Sequence, residues 1–323
     1  MKSLMYLGPG KLELIDEQIP EGDIVIKVIY SGICGTDLKT YLHGHHMFKP
    51  PVILGHECIG EITDINVGNS NFKTGDLVAV APYIECNKCD NCKRGIPALC
   101  KNKTFLKTGC FCEYIAVDIE QADKVLFNIS SSEPVYTLVE PLACVLNGMS
   151  KLKEIAHEYL IVGGGPMGAL FAIALSSLGK NVSVVEPGKW RTEELKKITD
   201  AKIFTGLKDV SGTYDSIILA VNIPELIEDY LPLVKDGGDL LLFSGYPKDK
   251  RAVLDPFHIH YREVSVSGCT GFSSSHFEEA LSMIKGYEDG FNKVITHFFD
   301  LQQAEDAFEL FKSGNGMKVI IRM

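Results

Sequence analysis

Residues 160–186 read LIVGGGPMGALFAIALSSLGKNVSVVE, and this stretch decides how the rest of the chain is interpreted. It opens with a short apolar run, continues through a glycine cluster and Pro166, and then stays apolar to residue 178. Because proline suits the first turn of a helix, the pattern predicts a strand at 160–162, a tight turn, a buried helix at 166–178 and a second strand at 182–185. No charge occurs from Leu160 to Gly179, a length that would span a bilayer, but the glycines and Pro166 divide the segment and favour a folded strand and helix.

The turn itself has the spacing of a phosphate-binding loop. Gly163, Gly165 and Gly168 form G-x-G-x-x-G between the predicted strand and helix. Their backbone amides, with the helix start at Pro166 and Met167, would reach a pyrophosphate. The sequence therefore predicts a dinucleotide site here.

The choice of dinucleotide depends on the end of the next strand. Glu186 stands there, where a carboxylate accepts hydrogen bonds from the adenosine ribose and repels a 2′-phosphate. This favours NAD. Arg191 is included in the expected cofactor site, and together with Lys189 it keeps NADP open, since either cation would reach a phosphate.

Alternating elements continue outward from this stretch. Helices are expected at 191–198 and 225–234, and strands at 216–221 and 239–243. This alternation predicts an α/β domain with a doubly wound parallel sheet. Only about a dozen residues separate 201–205 from 216–221, so one outer helix is expected to be missing, which would expose the sheet or invite a partner to cover it.

The flanking regions have a different texture. The first ~115 residues are short Ile- and Val-rich runs punctuated by glycines, which is typical of a small β-barrel. A helix is expected to start at Pro141. The last ~50 residues predict two amphipathic helices and a closing strand at 317–323, with Asp300 and Gln303 at the start of the second helix and Gly314 at its end.

Four closely spaced cysteines indicate a metal site. Cys86, Cys89, Cys92 and Cys100 follow the pattern C-x2-C-x2-C-x7-C. Four thiolates close a tetrahedral shell around Zn²⁺ and leave no open position, so the expected role is structural. An iron–sulfur cluster and unmetallated thiols are the alternatives.

Three weaker motifs supply a mixed set of ligands. They contain Cys34 in CGTD, His56 and Glu57 in GHE, and Glu140 in VEP. Each residue alone has an ordinary explanation as a packed thiol, a solvated imidazole or a helix-start carboxylate. Together they provide the thiolate, imidazole and carboxylate of a catalytic zinc that keeps one position open.

The order of these motifs closely resembles the zinc-containing medium-chain dehydrogenase/reductase family, and most of all its sorbitol, threonine and related polyol branch. The resemblance covers nearly the whole chain and extends to the closing text VITHFFDLQQAEDAFELFKSGNGMKVIIRM. It implies a GroES-like β-barrel catalytic domain at 1–146 and 270–323, and a Rossmann-type NAD-binding domain at 147–269. It also implies two zinc ions per chain.

For the reactive site, the resemblance implies Cys34 and His56 as ligands, with Glu57 and Glu140 competing for the next position, one bound directly and the other through water. It further implies that Thr36 passes a proton outward during hydride transfer from a secondary alcohol to NAD. Relatives often have a histidine at the position of Lys39, so the relay is expected to run through His43 or His45, or directly to water.

Bulk properties narrow the expected partners. A formal net charge of −10 disfavours nucleic acid and anionic membranes as partners. The N-terminus does not resemble a signal peptide, so a cytoplasmic location is expected. Relatives are dimers or tetramers, which implies a homodimer or homotetramer.

The expected substrate is a small alcohol or polyol. Residues 268–272 lack the arginine that often occurs there in sorbitol-type pockets, so an inositol-like ring and a threonine-type amino alcohol stay open. The alternative from another class is a non-catalytic dinucleotide-binding sensor.

Overall fold

The computed structural model describes residues 1–68 and 70–323. The chain divides into two compact units: residues 1–141 with 273–323, called unit 1, and residues 142–272, called unit 2. The boundaries expected after residues 146 and 269 differ from these by a few residues. The first difference arises because the helix at Val139–Met149 runs across the boundary.

The N-terminal part of unit 1 consists mainly of short strands. The strands are β1 (Lys2–Gly8), β2 (Lys11–Asp16), β3 (Ile24–Gly32), β4 (Val52–Ile53), β5 (Glu57–Ile65), β6 (Leu77–Val80), β7 (Tyr83–Ile84), β8 (Thr104–Phe105), β9 (Tyr114–Val117) and β10 (Leu126–Asn128). The helices are α1 (Gly35–His43), α2 (Asp90–Lys93), α3 (Ile119–Val125) and α4 (Val139–Met149).

Unit 2 alternates strands and helices, as the sequence pattern predicts. Its elements are β11 (Glu158–Val162), α5 (Pro166–Ser177), β12 (Asn181–Val185), α6 (Lys189–Ile198), β13 (Lys202–Phe204), β14 (Tyr214–Leu219), α7 (Glu225–Tyr230), β15 (Val234–Leu242), α8 (Pro256–Tyr261) and β16 (Ser265–Gly268). The chain then returns to unit 1 as α9 (Ser274–Gly286), α10 (Glu288–Asn292), β17 (Ile295–Asp300), α11 (Ala304–Ser313) and β18 (Lys318–Arg322).

The main sheet of unit 1 brings distant segments together. Its strand order is β10-β6-β5-β3-β18-β17, with β9 also paired to β3. In this register Gly32 of β3 lies opposite Glu57 of β5 on one side and Ile320 of β18 on the other. Residues near 32, 57 and 320 are therefore neighbours, although they come from three parts of the sequence.

Unit 2 contains a six-stranded parallel sheet in the order β13-β12-β11-β14-β15-β16. The first strand along the chain, β11, is central, and the glycine turn follows it directly. The stretch at 160–179 is thus a strand, a turn and a helix. Within residues 1–68 and 70–323, no helix combines the length and the apolar character needed to cross a bilayer.

The outer helix between β13 and β14 is absent from the described chain, as the short spacing predicts. A short 3-10 turn at Leu207–Asp209 occupies this connection. Leu207 and Val210 pack against the buried cluster that contains Phe204 and Tyr214. The missing helix was expected to leave the sheet exposed or covered by a partner, and here apolar side chains of the short connection pack onto part of this region.

Several element boundaries also differ from the sequence predictions. Helix α4 starts at Val139 rather than at Pro141. The helix expected at 225–234 ends at Tyr230, where a 3-10 turn containing Pro232 follows, and β15 already begins at Val234. A proline lacks the N–H that would continue the helix. Strand β17 was not anticipated, because its side chains are mostly half-exposed and show no clean alternation.

Candidate functional site

The ends of strands β3 and β5 place the first ligand set. Cys34 follows β3 and is the N-cap residue of α1, while Glu57 opens β5 and His56 directly precedes it. The register that sets Gly32 against Glu57 therefore brings the CGTD and GHE motifs side by side. Thr36 lies in the first turn of α1, and its carbonyl accepts a hydrogen bond from Thr40 Oγ1 at 2.7 Å.

Cys34, His56 and Glu57 form a compact donor set. One ligand atom from each residue lies within 4.8 Å of the other two. Thiolate, imidazole and carboxylate are all zinc ligands, and a set of three is typical of catalytic sites that keep one position for water or substrate. The residues present therefore fit a zinc ion.

Glu140 is buried at the start of α4 and lies close to this set without belonging to it. Burial raises its pKa to about 7. The charges of Glu57 and Asp37 act in the same direction, whereas His56 and Lys318 oppose them. A carboxyl group with this pKa exchanges a proton near neutral pH, which is the property expected of an acid–base group.

Asp37 is a site residue that the sequence reasoning did not assign. It is buried, and its Oδ1 lies 3.3 Å from Nδ1 of His56. The carboxylate also accepts hydrogen bonds from the backbone N–H groups of Cys34 at 3.0 Å and Gly55 at 3.2 Å. Asp37 thus holds the imidazole and the backbone of both motifs in one arrangement, as outer-shell carboxylates do in metal sites.

The same carboxylate decides the charge of His56 when no metal is bound. Burial acts to lower the pKa of His56, but the charges of Asp37 and Cys34 outweigh it and raise the pKa well above its usual range. A metal ion would therefore compete with a proton for this imidazole.

Lys318 is the second residue that was missed. It lies on β18, is only 2% exposed, and forms an ion pair with Glu57, which is 0% exposed. The sequence contained a sign of this role, namely a lysine next to the apolar run Val319, Ile320 and Ile321. These three residues are all buried in the structure.

The residues considered for the proton relay lie on α1 and in the loop after it. Lys39 is exposed on α1, and His45 lies in the loop that follows this helix. Burial, and then the neighbouring charges of His46 and Lys39, lower the pKa of His45. The ring of His45 packs against those of His46 and Phe48.

The four cysteines of the predicted structural site converge. The Sγ atoms of Cys86, Cys89, Cys92 and Cys100 all lie within 4.8 Å of one another. Cys89 Sγ is 3.6 Å from Cys92 Sγ and 3.8 Å from Cys100 Sγ. A tetrahedron of sulfur atoms at ~2.3 Å from zinc has edges of about 3.8 Å, so the spacing fits this ion.

Backbone N–H groups around the cysteines favour their thiolate forms. Those of Lys88 and Cys89 donate to Cys86 Sγ, and that of Cys86 donates to Cys100 Sγ, over 3.3–3.4 Å. Donors of this kind, from Cys92 and Lys101, lower the pKa of Cys89 to about 6. Burial and the neighbouring thiols instead raise the pKa of Cys92 to about 12 when no cation is bound, so the backbone donors favour the thiolate forms of Cys86 and Cys89 only.

Two glycines of the turn in unit 2 leave no room for a side chain. A Cβ on Gly168 would lie 1.9 Å from the carbonyl oxygen of Gly163, and a Cβ on Gly163 would lie 2.4 Å from Val221. Gly163 also has a φ of +105°, which favours glycine. Gly165 precedes Pro166, the first residue of α5, so Met167 and Gly168 follow in the first turn.

Glu186 and Arg191 both approach this turn. Oε2 of Glu186 accepts a hydrogen bond from the N–H of Gly164 at 2.9 Å, and Oε1 accepts one from Gly188 at 2.7 Å. The guanidinium of Arg191 lies 3.8 Å from the position of a Cβ on Gly165, and its buried Nε has no hydrogen-bond partner within the described chain. A glycine cradle beside an unsatisfied guanidinium nitrogen fits the phosphates of a dinucleotide.

The chain is similar to known dehydrogenases over its whole length. A family model described as the alcohol dehydrogenase GroES-like domain matches residues 20–126. L-threonine 3-dehydrogenase from Pyrococcus horikoshii is 30% identical over 348 residues, which cover 100% of this chain and 99% of the relative. D-arabinitol dehydrogenase 1 from Uromyces fabae is 27% identical over 344 residues, covering 100% of this chain and 97% of the relative.

A solved structure gives the same result for the fold. The crystal structure of 2R,3R-butanediol dehydrogenase from Bacillus subtilis matches with a TM-score of 0.88 and 25% identity, and the match covers 100% of this chain and 99% of that chain. The predicted combination of a GroES-like domain and a Rossmann-type sheet is confirmed. Since one relative is 30% identical over the full length, the chain belongs to the zinc-containing medium-chain dehydrogenase/reductase family.

Proposed function

We propose that this chain oxidises a secondary hydroxyl of a small polyol or related alcohol to a ketone, with zinc as a bound metal and NAD as the hydride acceptor. The observation that carries the proposal is the converging set Cys34, His56 and Glu57, of which Glu57 is buried, present in the same chain as a glycine turn beside Glu186. In the overall reaction the alcohol and NAD⁺ give a ketone, NADH and one proton.

The roles of the side chains follow from their contacts. Bound zinc supplies a Lewis acid that makes a hydroxyl more acidic, and NAD accepts the hydride. Cys34, His56 and Glu57 would hold the metal, and Asp37 orients His56. Glu140, which is buried and has a pKa of about 7 when no metal is bound, would take up or release a proton beside the metal ligands. Thr36 would pass the proton outward.

The proposed substrate class rests on what the relatives share. Those named above act on arabinitol, threonine and 2R,3R-butanediol, and each of these compounds carries a secondary hydroxyl next to another polar group. We therefore expect a vicinal diol or polyol as the substrate. A threonine-type amino alcohol is the second candidate, since the 30% identical relative has this activity.

A substrate panel tests the proposal. Purified, zinc-loaded protein is mixed with NAD and with polyols, butanediols, inositols or threonine, and NADH is followed by absorbance. At least one vicinal polyol or diol should give turnover that Cys34→Ser abolishes. Silence across the panel, with both metal sites filled, would refute the assignment.

A matched variant tests the cofactor. Glu186→Ser removes the carboxylate that hydrogen-bonds Gly164 and Gly188. We expect the KM for NAD to rise about 10-fold or more and the preference over NADP to shrink, since one lost charge-assisted contact is worth about 1.5–3 kcal/mol. Zinc content is the control and should stay unchanged. An unaltered ratio of the two cofactors would contradict the role given to Glu186.

The non-catalytic sensor is distinguished by the same measurements. A sensor would bind NAD while lacking turnover, and it would need only the four-cysteine metal. Zinc analysis that finds a metal at the Cys34 site together with turnover supports the enzyme.

A homo-oligomer is also part of the proposal. Helix α8 and the residues before it expose a cluster of large apolar side chains: Val253, Leu254, Phe257 and Tyr261, which are 66%, 41%, 69% and 69% exposed. This cluster precedes β16, the edge strand of the parallel sheet. Apolar patches beside an unpaired strand edge are typical of protein–protein contacts. Light scattering should report a dimer or tetramer that Phe257→Glu dissociates.

A cytoplasmic location stays a prediction.

A further inference from the structure

We infer that Lys318 is a positioning residue, which holds Glu57 in the orientation needed to bind the reactive zinc. The inference rests on the proposed zinc site and adds to it a residue from the last strand of the chain.

The contacts of Lys318 connect two of the proposed ligands. Its Nζ lies 2.8 Å from Oε1 and 2.6 Å from Oε2 of Glu57, so it donates to both carboxylate oxygens. It also donates to the carbonyl oxygen of Ile33 at 3.4 Å, in the residue that directly precedes Cys34. One ammonium group thus links the carboxylate of one ligand to the backbone beside another.

The sheet is built to accommodate this pair. Gly32 belongs to β3, the strand between β5 and β18, and is paired with a residue of each. A Cβ at Gly32 would lie 2.3 Å from Oε2 of Glu57 and 3.3 Å from Cδ of Lys318. The glycine therefore provides the space in which the two side chains meet.

A carboxylate held in this way still has room for a metal. Its two oxygens offer about four lone-pair positions, so hydrogen bonds from one ammonium leave others for zinc. Ligating carboxylates are usually hydrogen-bonded by a second group, and losing that group typically costs 10–100-fold in metal affinity or activity.

The charge of Lys318 alone predicts the opposite effect on zinc affinity from a positioning role. Lys318 places a positive charge beside a cation site, so a purely electrostatic role means that its removal strengthens zinc binding. A positioning role means that its removal weakens zinc binding, because Glu57 is no longer held towards Cys34 and His56. The two roles therefore differ in the sign of the change.

The experiment measures zinc affinity by chelator competition in full-length wild type, Lys318→Met and Lys318→Arg. We expect binding at the reactive site to weaken about 10–100-fold in Lys318→Met and to recover partly in Lys318→Arg. With cobalt in place of zinc, the visible absorption of the reactive site should shift in Lys318→Met. Lys312→Met, at an exposed lysine paired with Glu309, is the matched control and should leave affinity and spectrum unchanged.

Repeating the Lys318→Met change in Glu57→Gln protein shows whether Lys318 affects zinc affinity by way of Glu57. In Glu57→Gln protein, the added Lys318→Met change should weaken zinc binding no further. Unchanged or tighter zinc binding in Lys318→Met, or the same loss in both backgrounds, would overturn the inference. If Lys318→Met does not fold, Lys318→Gln takes its place with the same expected results. If the wild type binds metal only at the four cysteines, the proposed function fails instead.

Discussion

At the scale of single residues, the orientation of His56 depends on Asp37. The carboxylate faces Nδ1 of the imidazole, so Nε2 is the nitrogen left for a metal. Because Asp37 also accepts hydrogen bonds from the backbone N–H groups of Cys34 and Gly55, it fixes the backbone of both motifs. A neutral side chain of the same shape would keep part of this network but lose the charge-assisted contact.

The contacts of Asp37 predict the effect of Asp37→Asn. We expect zinc affinity at the reactive site and kcat/KM to fall together, each by about 10–100-fold. Chelator competition and NADH formation measure the two quantities, and the zinc held by the four cysteines serves as the internal control. A variant with wild-type affinity and activity would show that His56 needs no carboxylate partner.

Sequence motifs identified part of this site and missed the rest, for a physical reason. Cys34, His56 and Glu57 occur in short local patterns, and the resemblance of these patterns to a known family implied that they lie together. Asp37 has an ordinary explanation as a first-turn acid of a helix, and Lys318 lies 261 residues from its partner. Their roles arise only from the pairing of β18 with β3 and of β3 with β5.

At the scale of elements, Asp215 joins the starts of two central strands of unit 2. Its Oδ2 accepts hydrogen bonds from the N–H groups of His157 and Glu158, both at 2.9 Å, beside β11. Its Oδ1 pairs with Lys235 at 2.8 Å. Partial burial acts to raise the pKa of Asp215, but the contacts with Lys235, Glu158 and His157 outweigh it and lower the pKa to about 2.

The lowered pKa predicts how Asp215→Asn changes stability with pH. A carboxyl group with a depressed pKa stabilises the fold above its unfolded value of about 3.9, and this contribution is lost as pH falls towards the folded value. After allowance for solvent screening, we expect the variant to be less stable by about 1 kcal/mol at neutral pH. Urea unfolding at several pH values should show this difference shrinking below about pH 4. Asp16→Asn, at an exposed position, is the control. A difference that persists unchanged at low pH would contradict this account.

The elements of unit 2 were predicted better than those of unit 1. The strand, glycine turn and helix at 160–178 have strong local signals, because proline, glycine and a continuous apolar run each restrict the backbone. Strands β1, β2 and β17 have weaker patterns, since many of their side chains are half-exposed. Their place in a sheet depends on partners far along the chain.

At the scale of the whole molecule, the two candidate metal sites lie in different structural surroundings. The reactive set is embedded in the main sheet of unit 1, where buried strands already hold Cys34, His56 and Glu57 in place. The four cysteines instead lie in a loop-rich segment with only a four-residue helix and a short 3-10 turn. A loop with so little regular structure needs its metal to stay folded, whereas the sheet does not.

This contrast predicts that a mutation can disrupt either metal site without disrupting the other. Cys100→Ser should lose one zinc ion and make residues 86–107 accessible to trypsin, because this segment carries Lys88, Lys93, Arg94, Lys101, Lys103 and Lys107. Cys34→Ser should lose the other zinc ion and all turnover, yet keep the tryptic pattern of the wild type. NAD binding should survive in both, since the glycine turn and Glu186 belong to unit 2. Mass spectrometry of the tryptic fragments, with metal analysis, gives the readout. If the segment at 86–107 stays protected in Cys100→Ser, the fold of the lobe does not depend on its metal.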